Sequence, residues 1–255
     1  MTDAEIAQAA AILAAARQGN TIAGLPDHLR PQTLRQAEAI QLATLAALGL
    51  TRGGWKLGRL GTHLFSAPMP VGPLGEAEPV IVLPPGSRIE LELALRFRAD
   101  LQPGRAPELS VLPAFADLVV LIEFVRTRFT VPAATTELER IADCIANEQT
   151  VAVVMERSWQ PEILESLPAV RLLQDGQEIA HHSGRHTAAP LAPLFDAWRQ
   201  RCMDGSIVVG AGEIVTLGSL TGVLPIPAEG ARFTGEIVGL PTLHCLVAPI
   251  SEIRA

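Results

Sequence analysis

The amino-acid sequence predicts an α+β fold, in which a helical N-terminal segment packs on a rolled sheet of mixed strand directions. Apolar residues recur at helical spacing through the first 50 residues. From Gly53 onward, prolines, glycines and short apolar segments dominate instead. The strands expected there are irregularly spaced and few helices separate them, which argues against a doubly wound parallel sheet. We therefore expect one domain over residues 1–255, with residues 1–50 as the helical segment and residues 51–255 as the mixed β-roll.

The first helix is predicted from a capping box, because Thr2 and Glu5 stand three residues apart at the start of a helical pattern. Acidic residues occupy the place where a signal peptide would be basic, so the segment is predicted to be an amphipathic helix. A second helix is expected from Pro31 or Thr33 to Leu48. Further helices are expected at about 135–147 and 190–203, and strands near 55–58, 79–83, 89–97, 118–129, 151–156, 169–173, 213–216, 233–238 and 242–248.

Composition and charge exclude several classes of partner. Apolar residues make up 48% of the chain and charged residues 18%, as in a globular protein. No apolar run reaches the roughly 18 residues of a membrane span. A formal charge of −7 with no basic cluster argues against a nucleic-acid partner. Cys144, Cys202 and Cys245 are far apart in the sequence, which predicts reduced thiols of a cytoplasmic protein.

Two acidic side chains are predicted to share one face of the strand at 89–97. With the two-residue period of a strand, Glu90 and Glu92 point the same way, and their Cα atoms lie about 6.6 Å apart. Long carboxylate side chains at that spacing can converge on one cation. From this pattern alone, the alternative of a half-buried strand with acids on its wet face is favoured.

A third carboxylate lies inside the apolar run LVVLIEFVRTRF at 118–129. Glu123 stands in a segment typical of strands buried on both faces, so its charge needs a partner, a proton or a metal. An ion pair with Arg126 or Arg128 is the structural alternative. If Glu123 converged with the other two glutamates, each pair at ~4 Å would repel by about 4 kcal/mol at an effective dielectric of 20. Such a cluster requires a cation, and three carboxylates suit Mg²⁺ or Mn²⁺.

Two glycine-flanked segments supply further candidates. Lys56 follows two glycines and a tryptophan; burial at a site would lower its pKa, and nearby carboxylates would raise it again. The alternative is an exposed lysine beside a glycine turn. In the second segment, Gly218 allows close backbone approach, and Ser219 and Thr221 offer hydroxyls to an anionic ligand. A plain turn between strands is an equally weighted alternative there.

The histidines in EIAHHSGRH at 178–186 are not predicted to bind a metal. His181 and His182 are adjacent, so they would point to opposite faces of a strand, and no acid or cysteine completes a ligand set. A polar surface loop is the interpretation favoured by the sequence.

Several segments together resemble the 2-keto-4-pentenoate hydratases within the fumarylacetoacetate hydrolase superfamily. The resemblance covers most of the chain and rests on the order and spacing of these segments: RQAEAIQLA at 35–43, WKLG at 55–58, IELELAL at 89–95, IEFVRTRF at 122–129, IAD at 141–143 and GEIVTLGSLTGVLP at 212–225. It implies the mixed β-roll with outer helices as the catalytic core. It also implies a homo-oligomer that can associate with another enzyme of its pathway.

The resemblance implies roles for individual residues. Glu90, Glu92 and Glu123 match the glutamates that hold a divalent metal, and Lys56 matches a lysine that transfers protons. The resemblance also favours substrate contact for Gly218, Ser219 and Thr221. Three places depart from the family pattern: Leu60 and Gly61 replace a Thr-Ser pair, Arg126 and Thr127 replace Asp-Ser before Arg128, and Cys144 to Asn147 replace an Asn-Ala-Ser-Ser segment.

The leading hypothesis is a Mg²⁺- or Mn²⁺-dependent hydratase that adds water to a short 2-hydroxy-dienoate or 2-oxo-enoate of aromatic catabolism. A decarboxylase of 2-oxo-enedioates such as 4-oxalocrotonate, or a hydrolase of acylpyruvates, would use the same ion and enolate. Arg126 would favour a dicarboxylate if it faces the site. A non-catalytic family member that serves as a structural or partner-binding subunit is an alternative of a different class.

Overall fold

A computed structural model describes residues 1–19, 21–75 and 77–249 of the chain. Within these ranges it contains four α-helices, α1 Asp3–Gln18, α2 Leu34–Ala47, α3 Glu137–Ala142 and α4 Ala192–Met203. The strands in the same ranges are β1 Gly54–Leu60, β2 His63–Met69, β3 Val80–Ile81, β4 Arg88–Phe97, β5 Ala116–Val125, β6 Asn147–Met155, β7 Ser166–Gln174, β8 Gln177–Arg185, β9 Ile214–Ser219, β10 Leu224–Pro225, β11 Ala231–Ile237 and β12 Leu243–Val247. The predicted α+β class is confirmed.

The N-terminal helices form where the sequence predicts them. Helix α1 begins with the predicted capping box, in which the Thr2 hydroxyl accepts from the Glu5 N–H and the Glu5 carboxylate accepts from the Thr2 N–H. Helix α2 is capped by the hydroxyl of Thr33. The two helices pack with α3 around an apolar cluster that also includes Phe65 of β2 and Phe129. The helical segment therefore contacts the sheet edge that carries β1 and β2.

The larger sheet holds the acidic strands at its centre. Its strands lie in the order β2-β1-β9-β4-β5-β6, and β10 pairs with β4. Strands β4 and β5 are antiparallel, and Glu90 lies directly opposite Glu123 in their register. Because every residue of β5 is buried, Glu123 cannot reach solvent. The register therefore places two of the three predicted carboxylates side by side.

The smaller sheet covers the apolar face of the acidic strands. Its strands lie in the order β3-β12-β11-β7-β8. A Cβ atom at Gly235 of β11 would lie 2.6 Å from Leu91 Cδ1, so the two sheets touch closely at this point. Leu91 alternates with Glu90 and Glu92 along β4, so the carboxylates point to the opposite face of the larger sheet.

Some predicted boundaries were wrong. The strand expected to reach residue 129 ends at Val125, because the N–H of Arg126 donates to the Ala146 carbonyl and the N–H of Arg128 donates to the Asp143 carboxylate. The helix expected at 135–147 stops after Ala142 and is followed by a turn. In that turn Cys144, Ile145 and Ala146 all have positive φ, a conformation that is costly for residues with a Cβ.

Three strands, β2, β8 and β10, were not predicted. The surface loop expected around His181 and His182 is instead strand β8, which lies at one edge of the smaller sheet. Its residues are mostly exposed and polar, so the apolar alternation that marks a strand is missing from the sequence. No described helix has the length and apolar character needed to cross a membrane.

Candidate metal centre

Three carboxylates converge on the face of the larger sheet that points away from the smaller sheet. Glu90 and Glu92 alternate along β4, and Glu123 projects from β5 opposite Glu90. One carboxylate oxygen from each of the three lies within 4.8 Å of the others. Glu90 is 4% exposed, and Glu92 and Glu123 are fully buried. The alternative of acids on a wet strand face is therefore wrong.

Lys56 of β1 lies against the same carboxylates. Its Nζ lies 3.2 Å from Glu90 Oε1 and 2.9 Å from Glu123, and the Asn147 amide also donates to Glu123 at 2.9 Å. The ammonium group is buried, so the alternative of an exposed lysine is wrong. Burial acts to lower the pKa of Lys56, but the charges of Glu123 and Glu90 outweigh it and hold the pKa above its ordinary value. Lys56 is thus a buried cation and is the only lysine in the chain.

The cluster carries more negative charge than its protein partners neutralise. Neither carboxylate oxygen of Glu92 has a hydrogen-bond partner among the described residues. Burial raises the pKa of Glu92 well above its usual range, and the charges of Glu123 and Glu90 add to this effect. Burial also raises the pKa of Glu123 to about 7, against the lowering effect of Lys56. When all are ionised, three carboxylates and one ammonium leave a net charge of −2.

The donor set fits a divalent cation. A buried carboxylate without a partner is costly, and an ion between the three glutamates would remove that cost. Carboxylate oxygens are the ligands that Mg²⁺ and Mn²⁺ prefer. Two positive charges would also match the net charge of the cluster. No other group of three His, Cys, Asp or Glu residues able to hold a metal occurs in the described part of the chain.

A cavity of about 710 Å³ opens beside the carboxylates. Lys56, Glu90, Glu92, Arg126 and Ser219 are among the polar residues that line it. Much of the remaining wall is apolar and includes Leu57, Phe65, Val125, Ile145, Ala146, Pro190, Leu194, Leu217 and Val223. A cavity of this size with a few polar groups at one end is typical of a small-molecule site.

The predicted substrate contacts divide into two groups. Gly218, with a φ of +103°, and Ser219 line the cavity, and Ser219 Oγ is buried without a hydrogen-bond partner among the described residues. Thr221 does not line the cavity. Its hydroxyl accepts from the Leu91 N–H at 3.0 Å and so supports strand β4. Substrate contact by Gly218, Ser219 and Thr221 stays a prediction, and the hydrogen bond that Thr221 accepts is from the backbone of β4.

Arg126 lines the cavity, and its guanidinium group is hydrogen-bonded to residues that do not line the cavity. Its Nε donates to Glu148 at 3.2 Å, and its Nη2 donates to the Arg17 carbonyl. Arg128 does not pair with Glu123 either; it contacts Glu148 at 3.0 Å and Asp143 at 3.4 Å. The predicted alternative of an ion pair between Glu123 and an arginine is therefore wrong.

The arginine cluster, Arg17, Arg126, Arg128, Asp143 and Glu148, is a second buried group of charges behind the cavity wall. The Arg17 guanidinium donates to the Glu148 carbonyl at 2.7 Å. Burial raises the pKa of Asp143 to about 6, although Arg128 opposes this change. Near neutral pH three guanidinium groups face two carboxylates, which leaves a net charge of +1. Sequence reasoning missed Arg17, Glu148 and Asn147, because their contacts span 24 to 131 residues of chain.

The histidines lie apart from this centre. His181 is an exposed residue and His182 a half-buried residue of edge strand β8, and His186 follows that strand in a buried position. Burial lowers the pKa of His186 to about 4, so its ring is neutral near pH 7. These histidines do not belong to the one three-ligand group found among the described residues.

Comparison with known proteins shows the fold. No family model matches the chain, and no curated protein matches it in sequence. The structure of 4-oxalocrotonate decarboxylase from Pseudomonas putida G7, complexed with magnesium and adipate, matches with a TM-score of 0.77 and 16% identity over 97% of this chain and 98% of that one. The same enzyme complexed with calcium and acetate matches with a TM-score of 0.74, 17% identity and the same coverage.

A more distant structural match extends the comparison. The 2-hydroxyhepta-2,4-diene-1,7-dioate isomerase from Mycobacterium marinum matches with a TM-score of 0.53 and 15% identity, over 78% of this chain and 75% of that one. At these identities the likeness is one of fold. The resemblance seen in the sequence is thus confirmed at the level of the fold.

Proposed function

We propose that this chain is a divalent-metal-dependent hydro-lyase of the 2-keto-4-pentenoate hydratase group, which adds water to a short 2-hydroxy-dienoate or 2-oxo-enoate. The convergence of three buried carboxylates at the inner end of a cavity carries this proposal. The fold supports it, because the matching structures include a decarboxylase complexed with magnesium or calcium. Cytoplasmic location and a role in aromatic catabolism belong to the same proposal.

Glu90, Glu92 and Glu123 would hold Mg²⁺ or Mn²⁺. When bound, such an ion supplies a Lewis acid that stabilises the negative charge of an enolate. Glu123 is fixed for this role by the Asn147 amide, and Glu90 and Glu92 are fixed by their positions in the central strand β4. Because all three are buried, little rearrangement of the protein is needed to present their oxygens to one point.

Lys56 is placed to hold and move the proton. Its Nζ is bound by Glu90 and Glu123 and lies at the inner end of the cavity, where the 2-oxo acid would lie. Its ammonium group donates to Glu90 and Glu123, and from this position Lys56 would act as a proton donor toward the substrate carbon chain.

Arg126, Gly218 and Ser219 would orient the acid group of the substrate. The arginine cluster behind Arg126 has a net charge of +1, which favours an anion at this wall. The Ser219 hydroxyl, which has no hydrogen-bond partner among the described residues, and the backbone of Gly218 line the same cavity. The apolar residues of the cavity wall would limit the access of water to the conjugated chain of the substrate.

The test is a turnover assay on the protein stripped of metal and reloaded with Mg²⁺ or Mn²⁺. With 2-hydroxypenta-2,4-dienoate and its longer homologues, we expect loss of the dienoate absorbance that depends on added metal. Absence of turnover for every homologue with both metals would contradict the hydratase proposal.

Decarboxylation of a 2-oxo-enedioate is a second candidate, because the decarboxylase structure matches nearly the whole chain. It would use the same carboxylates and the same lysine. Analysis of the products separates the candidates: a hydratase gives a 4-hydroxy-2-oxo acid without loss of carbon, and a decarboxylase releases CO₂. Hydrolysis of an acylpyruvate would give two acids.

The alternative of a non-catalytic subunit predicts that metal has no effect. A ligand that binds only the native state raises the free energy of unfolding, by about 2.7 kcal/mol at a concentration 100 times its Kd. We therefore expect millimolar Mg²⁺ or Mn²⁺ to raise the melting temperature of the metal-free protein. An unchanged melting temperature would support a structural or partner-binding role.

A further inference from the structure

We propose that Thr216 is a positioning residue of the candidate metal centre, and that its hydroxyl donates a hydrogen bond to Glu92 that directs the other oxygen of this carboxylate toward the ion. The inference rests on the proposed function, because it takes Glu92 to be a ligand of Mg²⁺ or Mn²⁺. It gives a role to a buried side chain that the sequence does not single out.

A bulge in β9 brings two hydroxyl groups to the face of the larger sheet that carries the carboxylates. Ala94 of β4 lies opposite Thr216, and Glu92 lies opposite Ser219, so a step of two residues in β4 matches a step of three in β9. Gly218, with its positive φ, lies within this bulge. Because residues directly opposite each other share one face of a sheet, Thr216 and Ser219 both lie on the face of Glu92. Without the extra residue, strand alternation would turn one of them to the other face.

The two hydroxyl-bearing residues differ in their access to the cavity. Ser219 lines the cavity, whereas Thr216 is fully buried and does not line it. Thr216 lies between Lys56 of β1 and Ala94 of β4 in the register of the sheet. The Ala94 side chain is a methyl group and offers the hydroxyl no polar partner. Thr216 is therefore placed to act on a neighbouring side chain, not on a substrate.

Thr216 and Glu92 each lack the partner that the other can supply. The Thr216 hydroxyl and both oxygens of Glu92 are buried, and none of the three has a hydrogen-bond partner in the part of the chain that the structure describes. Burial and the charges of Glu123 and Glu90 raise the pKa of Glu92, and the Thr216 hydroxyl is among the groups that oppose this rise, which places it near the carboxylate. A hydroxyl can donate and an ionised carboxylate can only accept, so one hydrogen bond would satisfy both groups.

The other two glutamates already have donors from the protein. The Lys56 ammonium group donates to Glu90 and Glu123, and the Asn147 amide donates to Glu123. If Glu92 bound an ion through one oxygen, its other oxygen would stay buried and would need a donor of its own. Outer partners of this kind fix the orientation of ligating carboxylates. Thr216 would complete the set for Glu92.

The test compares Thr216→Val and Thr216→Ser with the wild-type chain by calorimetric titration with Mn²⁺. Valine keeps the shape of threonine without the hydroxyl, and serine keeps the hydroxyl without the methyl group. We expect Mn²⁺ affinity to fall about tenfold in Thr216→Val and to stay within about threefold of wild type in Thr216→Ser. The metal-free melting temperature of Thr216→Val should stay the same or rise, because a buried hydroxyl without a partner has been removed. A role in packing alone predicts that serine is the more harmful change.

Controls separate this inference from the proposed function. Thr44 of α2 is also buried, and its hydroxyl donates to the Ile40 carbonyl at 2.8 Å, so Thr44→Val is expected to keep the wild-type Mn²⁺ affinity. If Thr216→Val does not fold, Thr216→Ala takes its place, because it differs from Thr216→Ser by the hydroxyl alone.

Two results would overturn the inference while the wild-type chain still binds Mn²⁺. One is equal Mn²⁺ affinity of the Thr216 variants with and without the hydroxyl, and the other is an equal loss of affinity in Thr44→Val. A wild-type chain that does not bind Mn²⁺ would contradict the proposed function itself, and this inference with it.

Discussion

Two buried charge clusters of opposite sign lie next to the cavity, and they differ in how their carboxylates are partnered. In the arginine cluster, the Glu148 carboxylate accepts from Arg126 and Arg128, and Arg17 contacts its carbonyl. In the carboxylate cluster, Glu92 has no hydrogen-bond partner among the described residues. A buried carboxylate with cationic partners can stabilise the fold, whereas a buried carboxylate without a partner is kept at a cost and indicates a ligand. We therefore assign a structural role to the members of the arginine cluster that do not line the cavity, and a functional role to the carboxylate cluster. Arg126, which lines the cavity, belongs to the proposed substrate site.

The largest effect is expected from removing the cation of the carboxylate cluster. Lys56→Met keeps the length of the side chain and removes its charge and its proton. If Lys56 transfers protons, turnover should fall about 100-fold to 10,000-fold. The measurement is turnover with saturating Mg²⁺, together with Mn²⁺ titration to show that the metal still binds. Turnover within about threefold of wild type would exclude Lys56 as the proton donor.

Removing a cation from the arginine cluster should instead affect stability. Arg128 is fully buried and contacts Asp143 and Glu148. Arg128→Met would leave these carboxylates without one of their partners, which should lower the free energy of unfolding by about 3 to 5 kcal/mol. Urea unfolding measures the loss, and the exposed Arg105→Met is the matched control, expected to change stability by less than about 0.5 kcal/mol. Equal stability of the two variants would mean that the cluster is not structural.

The hydroxyl groups of Thr221 and Ser219 test the same distinction between structural and functional groups, with smaller expected effects. Thr221→Val removes the acceptor of the Leu91 N–H, so we expect a loss of about 1 kcal/mol in the free energy of unfolding and an unchanged KM. Ser219→Ala changes a residue that lines the cavity, so we expect a raised KM with little change in stability. Chemical unfolding and steady-state kinetics on both variants check this. A raised KM in Thr221→Val would return Thr221 to the substrate site.

The last prediction concerns the titration of the Lys56 ammonium group, for which we expect no effect of pH over the ordinary range. Because this is the only lysine, ¹³C-labelled lysine gives a single side-chain NMR signal from the folded metal-free protein. The folded-state pKa of Lys56 is raised, so its contribution to stability is fully present below the ordinary pKa of 10.5 and is lost only as pH rises through the folded-state value. We expect no titration of the signal below about pH 10.5. A midpoint near pH 8 would contradict the paired geometry.

The sequence predicted part of this arrangement because it depends on local periodicity. Alternation along one strand places Glu90 and Glu92 on one face, and an apolar run predicts the burial of Glu123. The register that sets Glu90 opposite Glu123 is not visible in the sequence, because a long connection separates β4 from β5. The contact of Lys56 with both depends on the sheet order, in which β9 lies between β1 and β4.

Other features could not be predicted because they depend on distant pairing. Arg17 and Glu148 are 131 residues apart in the chain, so no spacing rule joins them. Strand β8 has an exposed and polar surface, so its sequence resembles a loop.

The most direct test of the central claim compares Glu92→Gln with Glu148→Gln. The same substitution removes one charge from each cluster. Calorimetric titration gives the Mn²⁺ affinity of each variant, and thermal melting in the absence of metal gives its stability. These two quantities separate a metal ligand from a structural carboxylate.

For Glu92→Gln we expect Mn²⁺ affinity to fall at least about 100-fold, because loss of a direct ligand should cost no less than loss of an outer partner. Its metal-free melting temperature should stay the same or rise, because repulsion between carboxylates is relieved. For Glu148→Gln we expect unchanged Mn²⁺ affinity and a lower melting temperature, because the arginine cluster gains uncompensated positive charge. Unchanged Mn²⁺ binding in Glu92→Gln would contradict the assignment of the metal centre.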